Sequence, residues 1–263
     1  MTVGSSKPWC PCIAANGSVD VSNILLFAAG SLRGALGPLL AAFKVQTGAA
    51  VETVFGPAGL LRQRIETGER PHIFASANLA HPQRLVDLRL SSQVQLFARN
   101  RLCATVRNIA GLTDRPLLEV LRDSRWRVAT STPGADPSGD YAQQLFERID
   151  LLAPGQGVAL QQRALALVGG PDSVPLPPHR LAAEYLLNSG QADIFLGYAS
   201  YGAALAGYPE LLVRQLPTPL TIEADYGLCL LDARAQPLAE FILAEQGQGI
   251  LREQGFLPAN RIG

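Results

Sequence analysis

The sequence predicts a two-lobed α/β protein, each lobe a mostly parallel sheet flanked by helices, with a hinge made of two chain segments. Three observations predict it. Short apolar runs alternate with helical periods, the rhythm of strands feeding helices in a parallel sheet. That rhythm runs through once over residues 24–76 and starts again at Leu102. Apolar strand-like segments near 96–106 and 226–231 are placed to carry the chain between the two units.

The elements follow in order. Residues 24–28, Ile-Leu-Leu-Phe-Ala, form an apolar run of the kind buried on both faces. Gly30-Ser31 opens a helix whose Leu32, Leu36, Leu39, Leu40 and Phe43 keep the helical period, and Gly48 ends it. A strand over 51–55 turns through Gly56-Pro57-Ala58-Gly59 into a helix over 60–67, stopped by Gly68, and 72–76 is the next strand. In the second unit 102–106 and 126–130 read as strands. Tyr141, Leu145, Phe146 and Ile149 mark one face of a helix over 139–149. A Pro- and Gly-rich connection covers much of 153–178, then come a helix over 179–188 and a strand over 194–198. A last helix over 237–254 should pack back on the first unit. The division expected is a flexible tail over 1–22, lobe I over 23–98 plus 228–263, and lobe II over 99–227.

Composition narrows the function. Of the 263 residues, 48% are hydrophobic and 17% charged, a balance that excludes a disordered chain. Lys+Arg and Asp+Glu both number 22, so no basic excess points to nucleic acid and no polybasic tract to a membrane surface. Cys10 and Cys12 lack a second Cys/His pair that would make a zinc site. Cys103 and Cys229 lie in apolar stretches and read as buried thiols.

Four helix starts share one design: Ala29-Gly30-Ser31, Gly56-Pro57-Ala58-Gly59, Asp136-Pro137-Ser138-Gly139 and Pro177-Pro178-His179-Arg180. A helix start leaves backbone N–H groups without intrahelical partners and carries partial positive charge. Small residues let an anion come close to those donors, and the turns after parallel strands lie at the sheet edge where ligands bind. Two such edges facing each other would cage an anion with few basic residues. The plainer reading is that Ser31 and Ser138 are ordinary helix caps.

Several of these segments resemble the periplasmic molybdate-binding proteins. Residues 26–32, Leu-Phe-Ala-Ala-Gly-Ser-Leu, look like their opening strand and loop. Phe55-Gly56-Pro57-Ala58-Gly59-Leu60-Leu61 with Ile65-Glu66-Thr67-Gly68 and then 73–77 resemble their second loop, helix and third strand. Residues 136–142 resemble the loop opening the second lobe's site, and 190–198 the strand ending in a ligand tyrosine. The similarity runs in register from about residue 23 to 257.

The resemblance implies a periplasmic-binding-protein-like fold that closes on molybdate or tungstate for an ABC transporter permease. It implies no cofactor, no catalysis and a monomer. The ligand set it implies is Ser31 with Gly30, Ala58 with Gly59, Ser138 with Gly139, Arg180 and Tyr198, holding the oxyanion by hydroxyls and backbone N–H groups; no cation-type metal site is expected. Ala58 stands where the family usually has serine, Arg180 where an apolar residue gives only backbone, and His72 where aspartate is common. An Arg180 aimed into the cleft would add a full positive charge. The family's compartment is the periplasm, yet residues 1–20 make a poor secretory signal, so the cytoplasm stays open.

Two rival functions compete with binding of this anion. An enzyme is disfavoured: Gly134 to Gly139 has phosphate-loop spacing but Asp140 follows where lysine is required, Gly155–Gly157 and Gly247–Gly249 lack a third glycine, and His72, His81 and His179 are scattered. His81 is expected in a loop. The second rival is a sensor domain for another oxyanion or a small organic anion, since fold alone does not fix function.

Overall fold

The computed structural model describes residues 23–173, 175–177 and 180–259. In chain order the elements are β1 (Ile24–Ala29), α1 (Arg33–Thr47), β2 (Val51–Gly56), α2 (Ala58–Glu66), β3 (Ile73–Ser76), α3 (Ala80–Asp87), β4 (Gln95–Arg107), α4 (Leu117–Arg122) and β5 (Val128–Ser131). They continue with α5 (Pro137–Leu152), α6 (Gln156–Arg163), β6 (Leu165–Val168), α7 (Ala182–Asn188), β7 (Ile194–Tyr198), α8 (Gly202–Leu205), β8 (Leu211–Gln215), β9 (Glu223–Leu230), α9 (Gln236–Leu243) and α10 (Glu245–Glu253). Two lobes result, as the alternation of strand and helix predicts, in the fold of periplasmic binding proteins.

Lobe I is built on β1, which pairs parallel with β2 (Leu26 opposite Thr53) and with β3 (Leu26 opposite Ile73). β9 closes this sheet antiparallel to β3. In lobe II, β5 lies parallel between β6 and β7. The join is β4. Its first half, Gln95 to Arg101, pairs with β9; its second half, Leu102 to Arg107, pairs with β7, and β8 flanks its far edge. Both hinge strands are antiparallel to their neighbours, so each sheet is mixed. Tyr198, at the end of β7, lies opposite Leu102, where β4 passes from one sheet to the other.

One apolar core runs through both lobes. Leu26, Phe27, Leu36, Leu39 and Phe43 pack with Phe241 and Ile242 on the lobe I side, and Val106, Leu145, Phe146, Ile149 and Leu196 continue it into lobe II. A smaller cluster around Ala183, Leu186, Leu187 and Phe195 sits beneath α7. Cys103 and Cys229 are buried free thiols, pushed up to about 12 by burial. Cys10, Cys12 and the expected tail lie outside the described residues, as does His179. Among the described residues no helix is long and apolar enough to cross a membrane.

Three sequence expectations need correction. Residues 153–178 are not a bare connection: they hold α6 and β6. Gly157 there serves packing, since a Cβ on it would fall 2.0 Å from the Phe146 carbonyl oxygen of α5. His81 is in α3, not a loop, and it is buried; desolvation lowers its imidazole to about 4. The last helix is two, because Ala244 adopts extended backbone (ψ 160) between α9 and α10. The turn is tight enough that a Cβ at Gly247 would meet the Phe241 carbonyl oxygen at 2.2 Å.

Candidate functional site

The carboxyl edges of β1 and β2 in lobe I face the loop between β5 and α5 in lobe II. After β1, Gly30–Leu32 makes a single 3-10 turn that runs into α1. No side chain caps this turn, α1, or α2, whose N-cap position is Pro57. Ser31 is therefore not a helix cap. Its Oγ instead accepts a 2.9 Å hydrogen bond from the Tyr226 hydroxyl of β9. A serine hydroxyl that accepts in this way keeps its own proton for another partner.

Lobe II's helix start is built differently. The N-cap of α5 is Asp136, whose carboxylate accepts from the Ser138 N–H at 3.2 Å, with Pro137 at the first helical position. Ser138 is thus one residue inside the helix, buried, and receives the cap rather than giving it. Asp140 folds the preceding loop by accepting from the Gly134 N–H at 2.7 Å, which gives the residue that breaks the phosphate-loop pattern a structural task. Gly139 is needed for close approach: a Cβ there would lie 2.6 Å from the Ser131 carbonyl oxygen and the Pro133 nitrogen.

The two edges touch. The Gly59 N–H, in the first turn of α2, donates to the Ala135 carbonyl at 2.9 Å. A Cβ on Gly59 would lie 2.5 Å from the Gly134 carbonyl oxygen and 2.7 Å from that of Ala135. The Tyr141 hydroxyl of α5 donates to the Ala77 carbonyl just after β3 at 3.1 Å. Ala58 is fully buried beside this contact.

Behind the contact stands a group of tyrosines. The Tyr198 ring meets Tyr226 edge to face at 5.7 Å and Tyr141 at 6.4 Å. Asn100 of β4, 1% exposed, donates to Ser200 Oγ at 2.8 Å just beyond Tyr198. Tyr198 is 4% exposed, and its hydroxyl has no hydrogen-bond partner. Burial, then the neighbouring Tyr226 and the Asp136 carboxylate, hold that hydroxyl far above the usual phenol range, so it stays protonated and remains a donor. Burial also raises Asp136 to about 6, against the cap bond from Ser138 and a bond to Ser131, with help from the Asp140 charge.

The structure brings Ser31, Gly30, Ala58, Gly59, Ser138, Gly139 and Tyr198 to the facing ends of the two lobes. Arg180 is placed elsewhere. It precedes α7 instead of lying in its first turn. Its guanidinium forms a two-pronged pair with Glu184, a carboxylate 2% exposed, and lies over the Tyr185 ring at 5.6 Å. Because Arg180 lies before α7, the residue-order rule for pairs on a helix surface does not govern this pair.

Tyr226, Asn100 and Tyr141 at these lobe ends are not among the site residues the sequence suggests, and Asp136 enters only as part of a helix start. Asp136-Pro137 carries the signal of an acidic N-cap followed by proline, so the cap is Asp136 and not Ser138 as the plainer sequence reading has it. Tyr226 and Asn100 sit in hinge strands, where sequence gives no sign that a polar group turns toward a cleft. Among the described residues no cluster of three or more His, Cys, Asp or Glu could hold a metal ion.

Comparison with known proteins agrees with this architecture. The chain is 41% identical over 237 residues to an uncharacterised protein of Pasteurella multocida, covering 89% of this chain and 98% of that one. It is 27% identical over 169 residues to the molybdate-binding protein ModA of Escherichia coli, covering 59% and 65%. The sulfate-binding protein SubI of Mycobacterium tuberculosis has the same fold, with a TM-score of 0.71 at 16% identity over 91% of this chain and 88% of that one. The family model for bacterial extracellular solute-binding proteins matches residues 24–257, and the chain belongs to that family.

Proposed function

We propose that this solute-binding protein captures a tetrahedral oxyanion, molybdate or tungstate, between its lobes and delivers it to an ABC transporter permease. The observation that carries this reading is the Tyr198 hydroxyl, buried and unpartnered at the meeting of the two lobes. A buried donor left unsatisfied costs about 1–3 kcal/mol, and an anion oxygen in the cleft would relieve that. The uncapped start of α1 and the Ser31 hydroxyl, already accepting from Tyr226, add donors on the lobe I side. The relation to a molybdate-binding protein supports this anion; the shared fold with a sulfate-binding protein makes sulfate the competitor to beat.

In this reading the oxyanion's central atom meets the protein only through its oxygens, no cofactor takes part, and the protein acts as an exported monomer. Selectivity comes from a cage rich in donors and poor in acceptors. Molybdate, tungstate and sulfate carry no proton near neutrality, whereas phosphate keeps one and needs an acceptor. The test is thermal unfolding with each of the four anions. Molybdate or tungstate at 100 times its dissociation constant should stabilise the fold by about 2.7 kcal/mol, with smaller shifts from sulfate and phosphate at equal concentration. Equal shifts from all four, or none, would sink the molybdate assignment. A shift produced only by an organic anion would favour a sensor or transporter of that class.

A further inference from the structure

We propose that Arg33 is the cation of the cleft, gripping the bound anion from the lobe I side in the role that the sequence suggests for Arg180. This rests on the anion-binding reading above and extends it by naming the charged group. Arg33 is the first residue of α1, two positions after Ser31. A positive charge there opposes the helix dipole, so α1 gains nothing from it.

Its guanidinium is held 4.3 Å from the centroid of the Phe55 ring, at the carboxyl end of β2, and the residue is exposed. Stacking fixes the planar fork without consuming its N–H donors. Among the described residues no carboxylate pairs with Arg33. By contrast Arg180 is held by Glu184, and Arg127 and Arg107 by Asp193. Tyr201, three residues past Tyr198, is raised by burial and by Asp136, and Arg33 opposes that rise. Arg33 therefore lies at the start of α1 with its guanidinium against the carboxyl end of β2. A forked cation in that place fits an anion that offers two oxygens at once, as every tetrahedral oxyanion does.

The test is calorimetric titration of the full chain with molybdate, tungstate, sulfate and phosphate, on the parent and on Arg33→Gln, Arg33→Lys and Arg180→Gln. Arg33→Gln should weaken the tightest of these anions by roughly ten- to a hundredfold, the range of one charge-assisted hydrogen bond. Arg33→Lys should recover part of that loss, because lysine keeps the charge without the fork. Arg180→Gln should leave affinity unchanged. Melting temperature without anion should be the same in Arg33→Gln and the parent, which separates a binding role from a structural one. A parent that binds while Arg33→Gln binds equally well would overturn the Arg33 assignment alone. A parent that binds none of the four anions would overturn the oxyanion reading and the Arg33 assignment with it.

Discussion

The helix starts of the two lobes are built on opposite plans. In lobe I the turn into α1 and the start of α2 have no side-chain cap. In lobe II, Asp136 caps α5 and Asp140 ties down the loop before it. Lobe I thus leaves the start of α1, the Ser31 hydroxyl and Arg33 without a cap or carboxylate partner among the described residues, while the Gly59 N–H at the start of α2 is spent on the Ala135 carbonyl. Lobe II has satisfied its own helix start and brings instead a rigid loop and the Tyr198 hydroxyl. On the proposed function the difference would divide the parts: lobe I would receive the anion, and lobe II would cover it.

The largest effect is expected where the two plans meet. Gly59→Ala would push a methyl group to 2.5 Å from the Gly134 carbonyl oxygen, so the lobes could not close as they do here. Overpacking of this kind costs about 3 kcal/mol, and on the proposed reading, in which the two loops part when the cleft opens, it falls on the closed state. Molybdate affinity should drop accordingly, while melting without anion holds or rises, since alanine favours the helix. Small-angle scattering should show that the variant fails to become more compact when molybdate is added. Unchanged affinity would mean that the Gly59–Ala135 contact does not belong to the bound state.

The next effect sharpens the part given to lobe II. Tyr198→Phe removes a hydroxyl that has no protein partner. Stability without ligand should stay level or improve, because deleting an unsatisfied buried donor relieves its penalty. Anion affinity should fall by about 2 kcal/mol, the value of a hydrogen bond to a charged group. If melting temperature falls and affinity holds, Tyr198 is a packing residue between Tyr141 and Tyr226.

Lobe I has its own test in Ser31. Ser31→Ala removes an anion donor and the acceptor of the Tyr226 hydroxyl. Both affinity and stability should fall, each by about 1 kcal/mol. Tyr226→Phe should lower stability while keeping most of the affinity. In a double-mutant cycle the two changes should couple in stability, because they share one bond.

How much of this was legible follows from where the information resides. The strands and helices of lobe I, and the strand 194–198, are short apolar runs between turn residues or strong helical periods, and the chain writes these locally. Gly59 was legible as a residue at a helix start, because a Gly-Pro turn followed by small residues and then a helical period marks that place. Its contact with Ala135 was not, since that depends on how two distant lobes meet. Gly157 and Gly247 are close-packing residues, which only a facing backbone reveals, whereas Gly155 serves a left-handed turn. Arg180 and Arg33 show the same limit. Both are arginines near helix starts; the spacing of Arg180 and Glu184 allows their pairing, but only tertiary structure shows that the glutamate is buried and that Arg33 rests on an aromatic ring.

The smallest expected effect concerns pH and again contrasts the lobes, because the titrating group belongs to lobe II. Asp136 is raised to about 6 by burial, opposed by its bonds from Ser138 and Ser131 and assisted by Asp140. Its folded value therefore lies above the ordinary carboxylate value of 3.8. The folded state holds more protons than the unfolded one between those values, so this group's contribution to stability is fully present below 3.8 and is lost as pH rises through about 6. A bound dianion near this carboxyl would raise it further, so binding should take up a fraction of a proton near pH 6 to 7. In the parent, molybdate affinity should strengthen by about 1 kcal/mol between pH 7.5 and pH 5.5, within the range a single shifted carboxyl can supply. Asp136→Asn keeps a good N-cap for α5 and removes the titration, so its affinity should be nearly flat over that range. It should also match or exceed the parent at pH 7.5, where the parent carboxylate is ionised. A parent whose affinity does not change over this range, measured in buffers of differing protonation enthalpy, would separate Asp136 from the anion and leave it a helix cap only.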